Sequence, residues 1–183
     1  MDFTKTQYID FFKRTCKHIS KEHTILVYKS IIEPHFMYCP SVLFVMPDYM
    51  IDRLQKLQNN AMRFILRMSY DTSTNIMLRN LKWLSIRQKL YFFTMLFIFN
   101  IKNNNLPYYL YNNLLYNRNV HSVNTRNKND FRLPFLRTNS DQQNLFYKGL
   151  KCFNELPNDI KSCNTLNEFK KKLHKHCLTL PIR

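Results

Sequence analysis

The sequence predicts a mostly α fold, a multi-helix bundle with at most a short β-hairpin or extended segment near 120–138. Three observations carry that prediction. One glycine and seven prolines in 183 residues leave long segments without a breaker. Most of those segments space their apolar residues by threes and fours, the period of a helix with one buried face. Only Phe131-Arg132-Leu133-Pro134-Phe135-Leu136 alternates, unevenly, and its proline confines it to an edge.

Tyr8 to Ile19 and Thr24 to Met37 read as the first two helices, the second closed near Pro40. After Pro47 the period is clearest, and Asp48 is placed to cap a helix that runs to about Met68. Leu54, Leu57, Ala61, Phe64, Ile65 and Met68 form one apolar stripe on it. Arg53, Lys56, Arg63 and Arg67, with Asn60 between them, form a basic stripe about 110° further round. Thr74 to Leu81 reads as a short helix. Ser85 or Leu84 starts a long one that reaches about Lys102, ahead of Asn103-Asn104-Asn105 and Pro107. Tyr108 to Tyr116 reads as another short helix, and Asn117 to Asp130 is polar enough for a surface loop. Gln142 to Asn154 is helical and stopped by Pro157. The last helix opens at Thr165 with Glu168 three residues on, the capping-box spacing. Leu166, Phe169, Leu173 and Cys177 share one of its faces, while Lys170, Lys171, Lys172 and Lys175 crowd the others. The chain thus divides into a helical region 1–70, a helical connection 71–116, a polar loop or extended segment 117–138 and a C-terminal helical region 139–183. This length suits one ordinary domain or two small ones.

Lysine and arginine number 28 against 12 acidic residues, a net charge of +16. That excess favours polyanionic partners, either nucleic acid or an acidic membrane surface. Alanine occurs once and asparagine 21 times, the bias of AT-rich coding, which raises lysine without selection for a ligand. Where the charges sit therefore matters more than their sum. Residues 1–50 hold six basic and five acidic side chains, whereas residues 51–102 hold nine and two. The polycationic part starts after residue 50.

Several function classes fall away. A lone Gly149 excludes the P-loop and the dinucleotide-binding turn, which need several glycines. The start Met1-Asp2-Phe3-Thr4-Lys5 lacks the pattern of a secretory leader. The longest apolar stretch, Leu90 to Ile101, falls short of the ~20 residues a bilayer requires. Five scattered cysteines are expected to be reduced thiols. The expectation is an intracellular protein, cytoplasmic or nuclear, with no transmembrane segment and not secreted.

Polymerase or nuclease chemistry needs clustered carboxylates to hold divalent metal. No two acidic residues are adjacent here, and the Asp48/Asp52 pair suits a cap and a first-turn charge better than a metal. Cys152, Cys163, His174 or His176, and Cys177 lie too far apart for most zinc sites, and buried thiols account for them. Cys16 and His18 point to different sides of a helix, and no serine sits in a hydrolase turn. No catalytic residue, cofactor or metal is expected. The positive evidence is the ridge: Arg53, Lys56, Arg63 and Arg67 place four cations along about 21 Å of helix, suited to backbone phosphates. Lys170 and Lys171 add a second basic site. Tyr108, Tyr109, Tyr111 and Tyr116 are suited to stacking on bases or to packing. The other reading is a non-enzymatic module, with apolar helices flanked by Arg87, Lys89 and Lys102 docking a protein or lying on a membrane.

A series of words then resembles one family. Tyr28-Lys29-Ser30-Ile31-Ile32-Glu33-Pro34-His35 with Tyr38-Cys39 is similar to a stretch downstream of the polymerase core in non-LTR retrotransposon reverse transcriptases of the LINE type, the jockey and CR1 groups. Leu54-Gln55-Lys56-Leu57-Gln58-Asn59-Asn60-Ala61-Met62-Arg63-Phe64-Ile65-Leu66 resembles their leucine-glutamine-asparagine-arginine segment. Leu81-Lys82-Trp83-Leu84-Ser85-Ile86-Arg87, Leu106-Pro107-Tyr108-Tyr109-Leu110, Thr125-Arg126, Leu133-Pro134 with Arg137-Thr138, and Asn154-Glu155-Leu156-Pro157-Asn158-Asp159-Ile160-Lys161 follow in order, and Phe169-Lys170 closes the series. Phe153 and Leu43-Phe44 stand where the family has tryptophans. The resemblance spans about residues 24–178. It implies a catalytically incomplete C-terminal fragment of an RNA-directed DNA polymerase, with residues 1–70 thumb-like and the metal-binding aspartates on a polymerase portion outside this sequence. It implies RNA and/or DNA as partner, gripped by Arg53, Lys56, Arg63 and Arg67, and that missing polymerase portion as another. A decayed remnant without function would carry the same words.

Overall fold

The computed structural model describes residues 3–103, 105–112, 114–120 and 127–181, with side chains from residue 7 onward. The Thr125-Arg126 word lies outside them. Among the described residues the chain is all α with no strand. The extended segment contributes one isolated antiparallel bridge, between Tyr116 and Phe131. Two compact units form, one ending at Leu90 and one covering Tyr91–Leu180.

In the first unit, α1 (Phe3–Thr15) precedes a helical run of α2 (Lys21–Val27), a π turn (Tyr28–Ile32) and α3 (Glu33–Phe36). Sequence spacing explains the π turn. Thr24, Tyr28, Ile32 and Phe36 recur every four residues and all are buried. On a plain α-helix each four-residue step overshoots a full turn by about 40°, and the wider π turn takes up that drift. The run starts at Lys21 rather than Thr24, because the Ser20 hydroxyl accepts from the His23 N–H and caps it. Next come α4 (Pro40–Leu43), α5 (Asp48–Leu66), α6 (Thr74–Leu81) and the start of α7 (Ile86–Lys102). Aromatic contacts tie these together. Phe12 meets Phe64 edge-on at 5.4 Å, and Tyr28 stacks on Trp83 at 4.6 Å.

Helix α5 departs from its sequence reading in three ways. Asp48 is its first residue and makes no cap; Pro47 takes the capping position. The helix ends at Leu66, and Arg67 turns left-handed at φ 52°. The Arg67 N–H then donates to the Phe64 carbonyl and the Met68 N–H to the Arg63 carbonyl, which closes the last turn. Its buried residues are Ile51, Leu54, Gln58, Ala61, Met62 and Ile65, a face turned about 60° from the predicted stripe. A polar demand causes the rotation. The segment entering α7 needs backbone partners, so Gln58 donates to the Leu84 carbonyl at 3.1 Å and Gln55 accepts from the Ile86 N–H at 2.8 Å. Ser85 and Gln88 cap α7 reciprocally, with Ser85 N–H donating to Gln88 Oε1 at 2.9 Å and Gln88 N–H to Ser85 Oγ at 3.3 Å.

In the second unit, the rest of α7 is followed by α8 (Tyr108–Tyr111), a 3-10 turn (Asn117–Asn119), α9 (Asn139–Gln142), α10 (Leu145–Asn154), α11 (Asn158–Lys161) and α12 (Leu166–Thr179). The helix expected to reach Tyr116 stops at Tyr111, and Leu114 is buried instead. The helix expected over Gln142–Asn154 is two, divided at Asn144, whose side chain accepts from the Phe146 N–H at 3.0 Å and opens α10. Phe99 stacks on Phe169 at 4.1 Å, Phe153 on Phe169 at 6.2 Å, and Phe131 sits against Phe153 at 5.4 Å. Gly149 allows α7 and α10 to approach: a Cβ there would lie 2.8 Å from Ile98 Cδ1. The Asn154 side chain mimics a strand edge, accepting from the Phe131 N–H at 2.9 Å and donating to its carbonyl at 2.8 Å.

Candidate nucleic-acid interface

Because the buried face of α5 is rotated, its basic residues lie about 175° from that face, opposite the core rather than beside it. Arg53, Lys56, Asn60 and Arg67 are exposed. Arg63 differs. It is half-buried, its Nε has no hydrogen-bond partner, and its guanidinium lies 4.9 Å from the centre of the Tyr70 ring. Tyr70 itself is 82% exposed, so the ridge carries an open aromatic face that its sequence reading missed. Only the turn after α5, which doubles the chain back beside Arg63, puts it there.

The two carboxylates of α5 share a partner on the next long helix. Asp48 and Asp52 both accept from Arg87, at 2.7 and 3.0 Å. The hydrogen bond to Asp48, aided by that to Asp52, holds the Arg87 guanidinium above its usual pKa against the opposing effect of burial. The capping role expected of Asp48 is thus replaced by a two-carboxylate clamp on one arginine. Lys89, two residues on, pairs with Glu33 and lies 5.6 Å over the Trp83 ring. Burial pushes its pKa below the lysine range, and Glu33 works the other way. Arg87 and Lys89, read from sequence as basic flanks for docking, are therefore spent inside the first unit.

Lys170 and Lys171 belong to α12 in the second unit and are both exposed. Their neighbour Lys172 pairs with Glu168 at 2.9 Å and donates to the Asp159 carbonyl at 3.1 Å. That ion pair occupies the Glu168 carboxylate expected to complete a capping box; the Thr165 hydroxyl still accepts from the Glu168 N–H at 3.3 Å. Lys102 donates to the Lys161 carbonyl at 3.0 Å and Lys161 binds Asp130 at 3.0 Å, so both are structural. Tyr116 packs on Phe131 at 4.8 Å, whereas Tyr108 and Tyr109 are exposed. Cys163 and Cys177 are buried, and burial pushes the Cys177 thiol up to about 12, away from the range of a nucleophilic thiolate. Among the described residues no three His, Cys, Asp or Glu side chains group as metal ligands, and no helix is long and apolar enough to cross a membrane.

No protein-family model, no curated protein and no solved structure matches the chain.

Proposed function

We propose that the exposed basic face of α5 binds the sugar–phosphate backbone of nucleic acid. One observation carries this reading: Arg53, Lys56 and Arg67 are exposed on the side of α5 opposite its buried face. Guanidinium and ammonium groups on one face match phosphates spaced along a strand. Tyr70, held under Arg63, offers a ring for a base or sugar at the end of the ridge.

The resemblance to the region after the polymerase core of LINE-type reverse transcriptases supports a template–product duplex as the ligand. Within the first unit the resembling words meet in space: Tyr28 stacks on Trp83, Glu33 pairs with Lys89, and Gln58 holds the Leu84 carbonyl. In this proposal the chain contributes grip, and polymerisation would depend on carboxylates outside this sequence. The test is binding of a fluorescent RNA–DNA hybrid to the protein and to its Arg53→Glu/Lys56→Glu variant. Loss of about tenfold or more in affinity is expected. Equal affinities, or binding of anionic vesicles in preference to the hybrid at matched charge, would overturn the assignment.

A further inference from the structure

At the C-terminal end of α5 the ridge runs into a groove. Its floor is apolar, with Cys16, Ile19 and Phe64, and its rim carries Lys17, Lys21 and Arg67. At about 460 Å³ it falls within the range of small-ligand clefts. All three cations are exposed, and no acidic side chain lines the groove.

One of the three charges there is unfavourably placed for the protein alone. Lys17 and Arg67 follow the C-termini of α1 and α5, where a cation is favoured. Lys21 is the first residue of the helical run 21–36, where the helix dipole disfavours it. Its neighbour Glu22 does not line the groove; hydrogen bonds to its own backbone and to Ser20, with a smaller contribution from the charge of Lys21, hold its carboxyl below the usual range. Arg67 also sits in a left-handed conformation that glycine adopts at far lower cost. Three exposed cations around one hollow with no acidic side chain in its lining suit an anion that bridges them. The apolar floor suits a base or sugar. Arg67 belongs to both ridge and groove, which makes them one track.

We infer that this groove takes the unpaired end of a nucleic-acid strand leaving a duplex held on the α5 ridge, its phosphates on Lys17, Lys21 and Arg67 and a base on the apolar floor. The inference rests on the ridge reading and adds a second binding element to it. Single-stranded binding sites elsewhere combine these two features, a cationic rim and a surface on which bases lie.

The experiment compares a blunt RNA–DNA hybrid with the same hybrid carrying a short single-stranded overhang, by fluorescence anisotropy at fixed salt. The overhang is expected to tighten binding about five- to tenfold. Lys17→Glu/Lys21→Glu should cancel that gain and leave blunt-duplex affinity within about twofold. Arg67→Gly, which relieves the left-handed backbone, should melt higher than the parent protein yet lose part of the gain; this separates lost contact from lost fold. If the blunt duplex binds but the overhang adds nothing, or if the gain survives in Lys17→Glu/Lys21→Glu, the groove assignment is wrong and the ridge stands. If neither duplex binds, the ridge reading beneath it fails.

Discussion

Replacing Arg67 and Lys82 by glycine should stabilise the first unit, against the usual effect of glycine near a helix. Both residues are exposed, both terminate helices, and both have positive φ, 52° and 53°. At Lys82 the same hydrogen-bond closure recurs: its N–H donates to the Arg79 carbonyl at 3.1 Å and the Trp83 N–H to the Leu78 carbonyl at 2.9 Å. A residue with a Cβ loses roughly 1–2 kcal/mol in the left-handed region, which glycine does not. Against this, glycine costs about 0.5–1 kcal/mol more chain entropy on folding. The difference leaves each substitution about 0.5–1 kcal/mol stabilising. For a unit of this size each should raise the melting midpoint by about 2–8 °C. Lys56→Gly, in the middle of α5, is the control and should cost about 1 kcal/mol. Urea and thermal denaturation followed by circular dichroism measure all three. If Arg67→Gly falls as far as Lys56→Gly, the helix does not end at Leu66 and the argument about the ridge end is refuted.

Other substitutions probe other parts of the account. The Tyr28 hydroxyl is buried beside Gln58 without a well-formed hydrogen bond, so Tyr28→Phe should change stability by less than about 1 kcal/mol. Burial raises the Tyr28 pKa above its unfolded value of about 10. Its contribution is therefore complete below pH ~10 and lost as pH rises beyond, because the unfolded chain ionises first; Tyr28→Phe should flatten that alkaline fall in urea titrations. Gly149→Ala should be close to neutral, since the helix gain of about 1 kcal/mol offsets displacement of Ile98 Cδ1, whereas Gly149→Leu should cost several kcal/mol in the same melts. Asn154→Ala should cost about 1–3 kcal/mol and expose the Phe131 amide to hydrogen exchange, because both backbone groups of Phe131 lose their partner.

What the sequence made legible was whatever depends on local spacing. The bounds of α6, the start of α7 at Ser85 and the Thr165 cap follow from neighbours within four residues, and all are found. What it hid depends on partners far along the chain. Gln58 looks like a surface residue until Leu84, 26 positions on, presents a carbonyl to it. Asp48 reads as a cap until Arg87 arrives. The π turn is visible in the four-residue recurrence of Thr24, Tyr28, Ile32 and Phe36, but only after all four are known to be buried. On α5, the basic stripe could be read from period alone, while its position opposite the core and the ring of Tyr70 beneath Arg63 could not.

The most direct measurement is the salt dependence of hybrid-duplex binding. With Arg53, Lys56, Arg63 and Arg67 on phosphates, log affinity should fall against log salt with a slope of about −3 to −4, and Arg53→Gln/Lys56→Gln should reduce its magnitude by about 2. A slope near zero, or one that the double substitution leaves unchanged, would contradict the claim that this face of α5 meets a sugar–phosphate strand.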